Sequence, residues 1–563
     1  MKTSRLHYFS LLLALTLGRA ANADDSETFA AASCTTFATA AVPVNAFNRT
    51  HTLDDLYVVL FKPGAKFHSD SDVKKYQVRG DGVVDHEGVA DALRSQPAVV
   101  VYGGKPDSKD IDDAVMYVVT NDGSLHAIDV KSRVEQWSYV PQDSPKHHSV
   151  GGSIRVLKYD TNGDGIVDPG DNDRVILFFG QGRGGDRYFA VDVTHKKPQL
   201  LWSIGPTTAG LGNIGQTWST PTIAHVNISH AAQNSQKLVL IFGGGYADAR
   251  GNAIFMVDAV KGTVLWSAGK SDADLNLARM DHAIPSDVTV LDLDGDGYAD
   301  RMYVGDMAAQ LWRFDIFNGE PADELVAGGV IASLGTHEDT TRRFYNAPDV
   351  AAIRRKGARP FFNIAIGSGS RGQPLNIDVQ DRFYSIRDYQ PFDRLNQKQY
   401  DDAGRKILED KDLPDVSANI GASTTPVATK TVATQDPGWK VLLDTPTGAW
   451  VGEKVLASAT TVSGQILFPT FTPARSVSND CAAGVGSNRL YTLDVFDGSG
   501  QYQKLSERGI APQVTVLFPE QGGNSAQAPH YAQMLCLSGA EVLGACRTFN
   551  PLVKTYWSES DAK

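Results

Sequence analysis

The sequence predicts an all-β chain folded as a β-propeller, and three observations carry that prediction. One short segment recurs: Met116 to Asp129, Arg187 to Asp192, Ala253 to Asp258 and Met302 to Asp315 each place alternating apolar residues before an aspartate. The closing aspartates Asp129, Asp192, Asp258 and Asp315 lie 63, 66 and 57 positions apart, and Trp137, Trp202 and Trp266 follow three of them at intervals of 65 and 64. Helical periodicity is scarce; its best stretch, Glu87 to Ser95, precedes the first repeat.

Period-two alternation places successive side chains on opposite faces of a strand, and Gly, Asn and Asp between such runs supply the turns. A spacing near 60 exceeds the roughly 40 to 50 residues that a four-stranded blade needs, so each blade carries an insertion. Arg382 to Asp388 and Arg489 to Asp494 read as two further blades of the same kind, and the expected total is seven. A large β-sandwich also alternates and also contains tryptophan. Recurrence of one fixed order, strand, Asp, turn, Trp, favours radial stacking, in which each blade buries its faces on its neighbours and only short edges remain. The expected divisions are a signal peptide at 1–23, a short lead-in at 24–95, the propeller at 96–500 and a C-terminal segment, 501–563, that completes or caps it.

Lys2 and Arg5, the apolar run Tyr8 to Leu17 and the small-residue site Ala21-Asn22-Ala23 form an export signal. That apolar run is too short to span a bilayer, and no later run of about 18 apolar residues occurs, so the expectation is an exported protein without a membrane span. With 53 Lys and Arg against 65 Asp and Glu the formal charge is -12; cleavage after Ala23 removes Lys2, Arg5 and Arg19 and takes it to -15. A phosphate backbone requires a basic footprint, so nucleic acid is excluded as a partner. Cys34, Cys481, Cys536 and Cys546 are the only cysteines. Export permits pairing, Cys536 with Cys546 would close a small loop, and sequence does not choose among the three connectivities.

The sharpest chemical motif is Asp292-Leu-Asp294-Gly-Asp296-Gly-Tyr298-Ala-Asp300. Hard oxygen ligands at positions 1, 3 and 5, a glycine at 6, a backbone carbonyl at 7 and a carboxylate at 9 make a Ca2+ loop, although Tyr303 at position 12 excludes a complete EF-hand. Asp160, Asn162, Asp164, Ile166 through its carbonyl, and Asp168 repeat the spacing, with Asp171 at position 12 and Asp173 as a further candidate ligand. The sequence 180–185 matches a dinucleotide glycine pattern, but a strand-like run follows it where a helix is required, so it reads as a turn between strands. Gly269-Lys270-Ser271 lacks the first glycine of a phosphate loop. Arg79-Gly80-Asp81 reads as an ordinary polar turn, with the tripeptide of integrin ligands as the alternative. Nucleophile elbow, zinc helix and histidine ligand spacing are all missing, so the chain is not read as an enzyme.

Tyr117 to Asp129 with Trp137 to Pro141, Gly184 to Val193, Phe242 to Tyr246, Asp292 to Asp300, Tyr303 to Asp306, Leu311 to Asp315 and Asp381 to Asp388, in that order, resemble the C-terminal propeller of the PilY-type factors of type IV pili. The resemblance covers roughly 96–498. It implies a calcium-dependent, non-enzymatic assembly or tip factor that cooperates with minor pilins or other pilus components, with a host or surface receptor as a further partner. It also implies that calcium in the loop matching Asp292 to Asp300 governs pilus persistence against retraction, and it places the chain in the periplasm, on the outer surface or at the pilus tip. The family's large N-terminal region, often with an adhesive module, has no counterpart in 24–95. The repeat is also similar to the quinoprotein-like propellers of dehydrogenases that bind pyrroloquinoline quinone with calcium, but the adjacent cysteines of those enzymes are lacking. A generic extracellular calcium-stabilised propeller is the third reading.

Overall fold

The computed structural model describes residues 97–103, 113–120, 124–140, 152–230, 233–247, 249–335, 341–355, 359–421, 431–443, 450–474, 486–506 and 509–517, and the backbone of strands 77–79, 82–84, 532–538 and 541–549. The signal peptide, the Glu87 to Ser95 stretch and the four cysteine side chains lie outside these residues, as does the Arg79-Gly80-Asp81 turn.

Six sheets follow one another along the chain, each built on an up-and-down meander of four antiparallel strands. Blade I comprises Ala98–Gly103, Asp113–Val119, Leu125–Asp129 and Glu135–Tyr139. Blade II comprises Arg155–Tyr159, Arg174–Gly180, Tyr188–Asp192 and Gln199–Ile204. Blade III comprises Thr222–His230, Gln233–Gly243, Ala253–Asp258 and Val264–Gly269. Blade IV comprises Thr289–Leu291, Arg301–Gly305, Gln310–Ile316 and Val326–Ser333. Blade V comprises Asp349–Ile353, Phe361–Gly367, Arg382–Asp388 and Gly438–Leu442. Blade VI comprises Thr460–Val462, Gln465–Thr472, Ser487–Asp494 and Gly500–Leu505. A three-stranded sheet of Thr515–Leu517, Ala532–Ser538 and Glu541–Phe549 follows. Against the seven blades expected, six four-stranded meanders stand among the described residues.

The first strands of blades I and II touch, as do those of II and III, III and IV, and V and VI, which makes the first strand of each meander the inner one. Middle strands bury both faces. In Arg174–Gly180, Val175, Leu177 and Phe179 pack on blade I while Ile176 and Phe178 pack on blade III. In Phe361–Gly367, Phe362, Ile364 and Ile366 pack towards blade IV, and Phe361 and Ala365 towards blade VI. Alternation thus feeds two interfaces, so these strands are apolar almost continuously.

The repeated aspartate and tryptophan serve that stacking. Asp192, Asp258 and Asp494 each end a third strand and cap the turn beyond it: Asp192 Oδ1 accepts Thr194 N–H at 2.9 Å, Asp258 Oδ1 accepts Val260 N–H at 3.0 Å, and Asp494 Oδ1 accepts Phe496 N–H at 2.8 Å. The tryptophan of the fourth strand reaches the equivalent turn of the next blade. Trp137 Nε1 donates to Lys196 O at 2.7 Å, Trp202 to Ala259 O at 3.0 Å and Trp439 to Val495 O at 3.1 Å. Trp266 is fully buried between blades III and IV. The glycine-rich segment 180–185 is the turn joining Arg174–Gly180 to Tyr188–Asp192, as the sequence indicates.

One insertion departs from the repeat. Residues 389–437 separate the third and fourth strands of blade V, and two dipeptides among them pair with the two neighbouring blades. Leu408–Glu409 pairs in parallel with Ala332 and Ser333 at the outer edge of blade IV, and Ile420–Gly421 pairs in parallel with Gly500 and Gln501 of blade VI. Asp410 anchors this insertion: Lys440 Nζ lies 2.6 Å from its Oδ2, Tyr384 OH donates to Oδ1 at 2.9 Å, and Arg382 and Arg342 also pair with it. Burial opposes ionisation of this carboxyl, but Lys440 and Arg382 outweigh it and hold the group down at about 2.

Trp202→Phe keeps an aromatic ring but leaves the carbonyl of fully buried Ala259 without its donor, so it should cost about 1–3 kcal/mol. Urea unfolding should show this as a lower midpoint at unchanged slope. Because the Asp410 carboxyl is depressed in the folded state, its contribution is complete above its unfolded value of 3.8 and is lost as pH falls through about 2. The stability advantage of wild type over Asp410→Asn should therefore be constant above about pH 4 and shrink towards pH 2, in melts recorded across that range.

Candidate metal centre

Two acidic loops occupy the same place in their blades, the hairpin between the first and second strands of blades II and IV. Both fold by one hydrogen-bond scheme dictated by residue order. In blade IV, Asp292 Oδ1 accepts Gly295 N–H at 2.7 Å and Oδ2 accepts Gly297 N–H at 2.8 Å, while Asp294 Oδ1 accepts Asp296 N–H at 3.2 Å and Asp296 Oδ1 accepts Tyr298 N–H at 2.8 Å. In blade II, Asp160 accepts Gly163 N–H and Gly165 N–H at 2.8 Å each, Asn162 Oδ1 accepts Asp164 N–H at 3.0 Å and Asp164 Oδ1 accepts Ile166 N–H at 2.8 Å. Gly295 and Gly297 have φ of 80° and 90°, a region costly for any residue with a Cβ, which is why glycine stands at both positions.

The loops differ in where the buried carboxylate comes from. Asp300 is fully buried at the end of the blade IV loop, and its Oδ2 accepts Leu293 N–H at 2.7 Å. Asp292, Asp294 and Asp300 bring carboxylate oxygens within 4.8 Å of one another, the one such grouping of three acidic, histidine or cysteine side chains among the described residues. Asp296, the fourth carboxylate of the loop, is not part of that grouping. Burial pushes the Asp300 carboxyl up and the nearby Asp294 and Asp296 add to the effect, while Leu293 N–H and Arg394 oppose it.

In blade II the matching position is held by Asp173 instead of Asp168. Asp173 is buried, and it accepts Thr161 N–H at 2.7 Å, the counterpart of the Leu293 contact, as well as Asp168 N–H at 3.0 Å. These two N–H groups hold its carboxyl below the usual range. Asp168 faces another way: Pro169 follows it, the chain turns into the 3-10 segment Pro169–Asp171, and Asp168 Oδ1 caps that turn by accepting Gly170 N–H at 2.8 Å. Asp160, Asn162, Asp164 and Ile166 keep their expected places, but no three carboxylates converge there as they do in blade IV.

Two participants escape the motif. Asp173 lies beyond the nine-residue spacing and was expected only as an additional ligand. Arg394, which pairs with Asp300 Oδ1 and lies 3.9 Å from Asp294 Oδ2, enters from the blade V insertion, 94 positions from Asp300. Beneath it runs a buried ionic network. Arg301 Nε donates to Asp315 Oδ1 at 2.7 Å, Arg313 pairs with Asp315 at 3.0 Å and with Asp388 at 2.9 Å, and Tyr303 OH donates to Asp388 Oδ2 at 2.6 Å. A hard, divalent cation fits the donor set: all-oxygen, anionic, on a turn whose backbone is already shaped. Bound there, it would supply charge compensation to carboxylates that otherwise repel one another.

The geometry defines a class: an all-β propeller with acidic loops set into the inner hairpins of two blades. No family model matches the chain. It is 28% identical over 414 residues to a type IV pilus biogenesis factor PilY1 homolog of Xylella fastidiosa, covering 68% of this chain and 26% of that protein. It is 24% identical over 427 residues to the type IV pilus biogenesis factor PilY1 of Pseudomonas aeruginosa, covering 68% of this chain and 34% of that one. The chain therefore spans only about a third or less of these relatives' length. In fold it is similar to the crystal structure of the Pseudomonas aeruginosa PilY1 C-terminal domain, with TM-score 0.54 and 18% identity over 77% of this chain and 92% of that domain. Over this region the chain is similar to PilY-type proteins. Among the described residues no helix is long and apolar enough to cross a membrane.

Proposed function

We propose that this chain is an exported, calcium-binding factor of type IV pilus biogenesis that acts by binding partners and not by catalysis. The observation that carries the reading is the convergence of Asp292, Asp294 and Asp300 on a preshaped loop, in a chain similar to proteins named as pilus biogenesis factors. Asp292, Asp294, Asp296 and Asp300 are the side-chain ligands and Tyr298 supplies its carbonyl. A second, weaker site uses Asp160, Asn162, Asp164 and the Ile166 carbonyl, with Asp173 as its buried acid in place of Asp168. Minor pilins or other pilus components are the partners this role requires, at the periplasmic or outer surface.

A cation that binds only the folded state stabilises it by mass action, about 2.7 kcal/mol at a hundredfold excess over Kd. Calcium should raise the wild-type melting temperature, and Asp294→Ala combined with Asp296→Ala should abolish the part due to this loop. Calorimetric titration of both chains checks this; a wild type whose melting and titration ignore calcium would refute the metal assignment. Deleting the gene should reduce surface pili, and the loop variant, returned in its place, should fail to restore them. A stoichiometric quinone chromophore in the purified protein would instead establish the dehydrogenase reading.

A further inference from the structure

The acidic loop of blade IV already faces a cation that belongs to the chain. Arg394 Nη2 pairs with Asp300 Oδ1 and lies 3.9 Å from Asp294 Oδ2, so one guanidinium addresses two of the three carboxylates that converge there. Its backbone is pinned on both sides. Fully buried Arg301 donates to the carbonyls of Gln390 at 3.1 Å, Pro391 at 2.7 Å and Asp393 at 2.6 Å. On the other side, Leu395 N–H donates to buried Asp315 Oδ2 at 3.0 Å, and Tyr400 OH donates to the same oxygen at 2.7 Å. Arg394 thus projects from a fixed point, and its position at the loop is built by the network beneath it.

From this geometry we propose that Arg394 is an intramolecular competitor for the metal: it compensates Asp294 and Asp300 in the metal-free chain, and a divalent cation must displace its guanidinium from them. The proposal rests on the calcium reading of the loop. Its physical basis is that the same carboxylate oxygens cannot serve both cations at full strength, and that a fixed positive charge repels an arriving one. Arg394 therefore sets the affinity of the site without being a ligand. The insertion that carries it is also bonded to blades IV and VI, so the metal and the blade contacts draw on one segment.

Arg394→Gln removes the charge and keeps a polar, though shorter, side chain. Its calcium Kd at this loop, from calorimetric titration of the full chain, should be about tenfold tighter, equivalent to about 1.4 kcal/mol. Its melting temperature in chelator should fall below wild type, and in saturating calcium the deficit should vanish or reverse. A merely structural role would lower both melts alike. Arg394→Lys, which keeps the charge, should stay near wild-type affinity and guards against a Gln variant that folds poorly. Unchanged or weaker binding in Arg394→Gln, with wild type binding normally, overturns the competitor role alone. Absence of calcium binding in every chain overturns the metal reading, and the competitor role with it.

Discussion

Middle strands of this propeller present two apolar faces, and neither can be left in water. At roughly 25 cal/mol per Å2 of apolar surface, exposing one face of a blade would cost more than a typical domain's net stability. Each sheet is consequently stable only between neighbours. Dispersion and hydrophobic burial hold the blades together without fixing their register; the tryptophan bonds of blades I, II and V supply it, since an indole N–H has one direction and one acceptor. The aspartate that ends a third strand shapes the turn whose carbonyl the preceding tryptophan needs. The two repeated residues are halves of one joint, divided between adjacent blades.

Blade IV uses its closing aspartate differently. Asp315 leaves the turn uncapped and goes inward, where Arg301, Arg313, Tyr400 and Leu395 N–H saturate it. A buried charge of this kind is tolerable only when fully paired, and removing one partner would leave the others uncompensated. The return for blade IV is position: the network fixes the insertion from blade V against the loop that gathers Asp292, Asp294 and Asp300. Charge that elsewhere closes a turn here locates a neighbouring segment.

Much of this was legible in the sequence because it is local. The repeated order of strand, Asp, turn and Trp announced the stacked blades, and the spacing from Asp292 to Asp300 announced the loop and its glycines. Asp168 stands apart from the buried position for a local reason as well: Pro169 diverts the chain, and the buried carboxylate there is Asp173. What spacing could not reveal is the non-local part. Nothing near Asp300 points to Arg394, and nothing in residues 389–437 says that two dipeptides of it will extend the outer edges of blades IV and VI. Such pairings depend on where the fold brings distant segments, and periodicity carries no such information. The number of blades is similarly non-local, since a repeat near 60 residues leaves room for insertions.

The insertion in blade V also imposes an order of assembly. Its Leu408–Glu409 strand needs only Val326–Ser333, which precedes it, whereas Ile420–Gly421 must await Gly500–Leu505, the final strand of blade VI. A chain that emerges from its N-terminus can fasten the first staple at once and the second only after 80 further residues. During that interval blade V has a completed neighbour on one side and exposed apolar strands on the other, the condition in which partly folded repeat proteins misassemble. The first staple therefore acts as a stopper, holding blades IV and V together until the last blade is delivered.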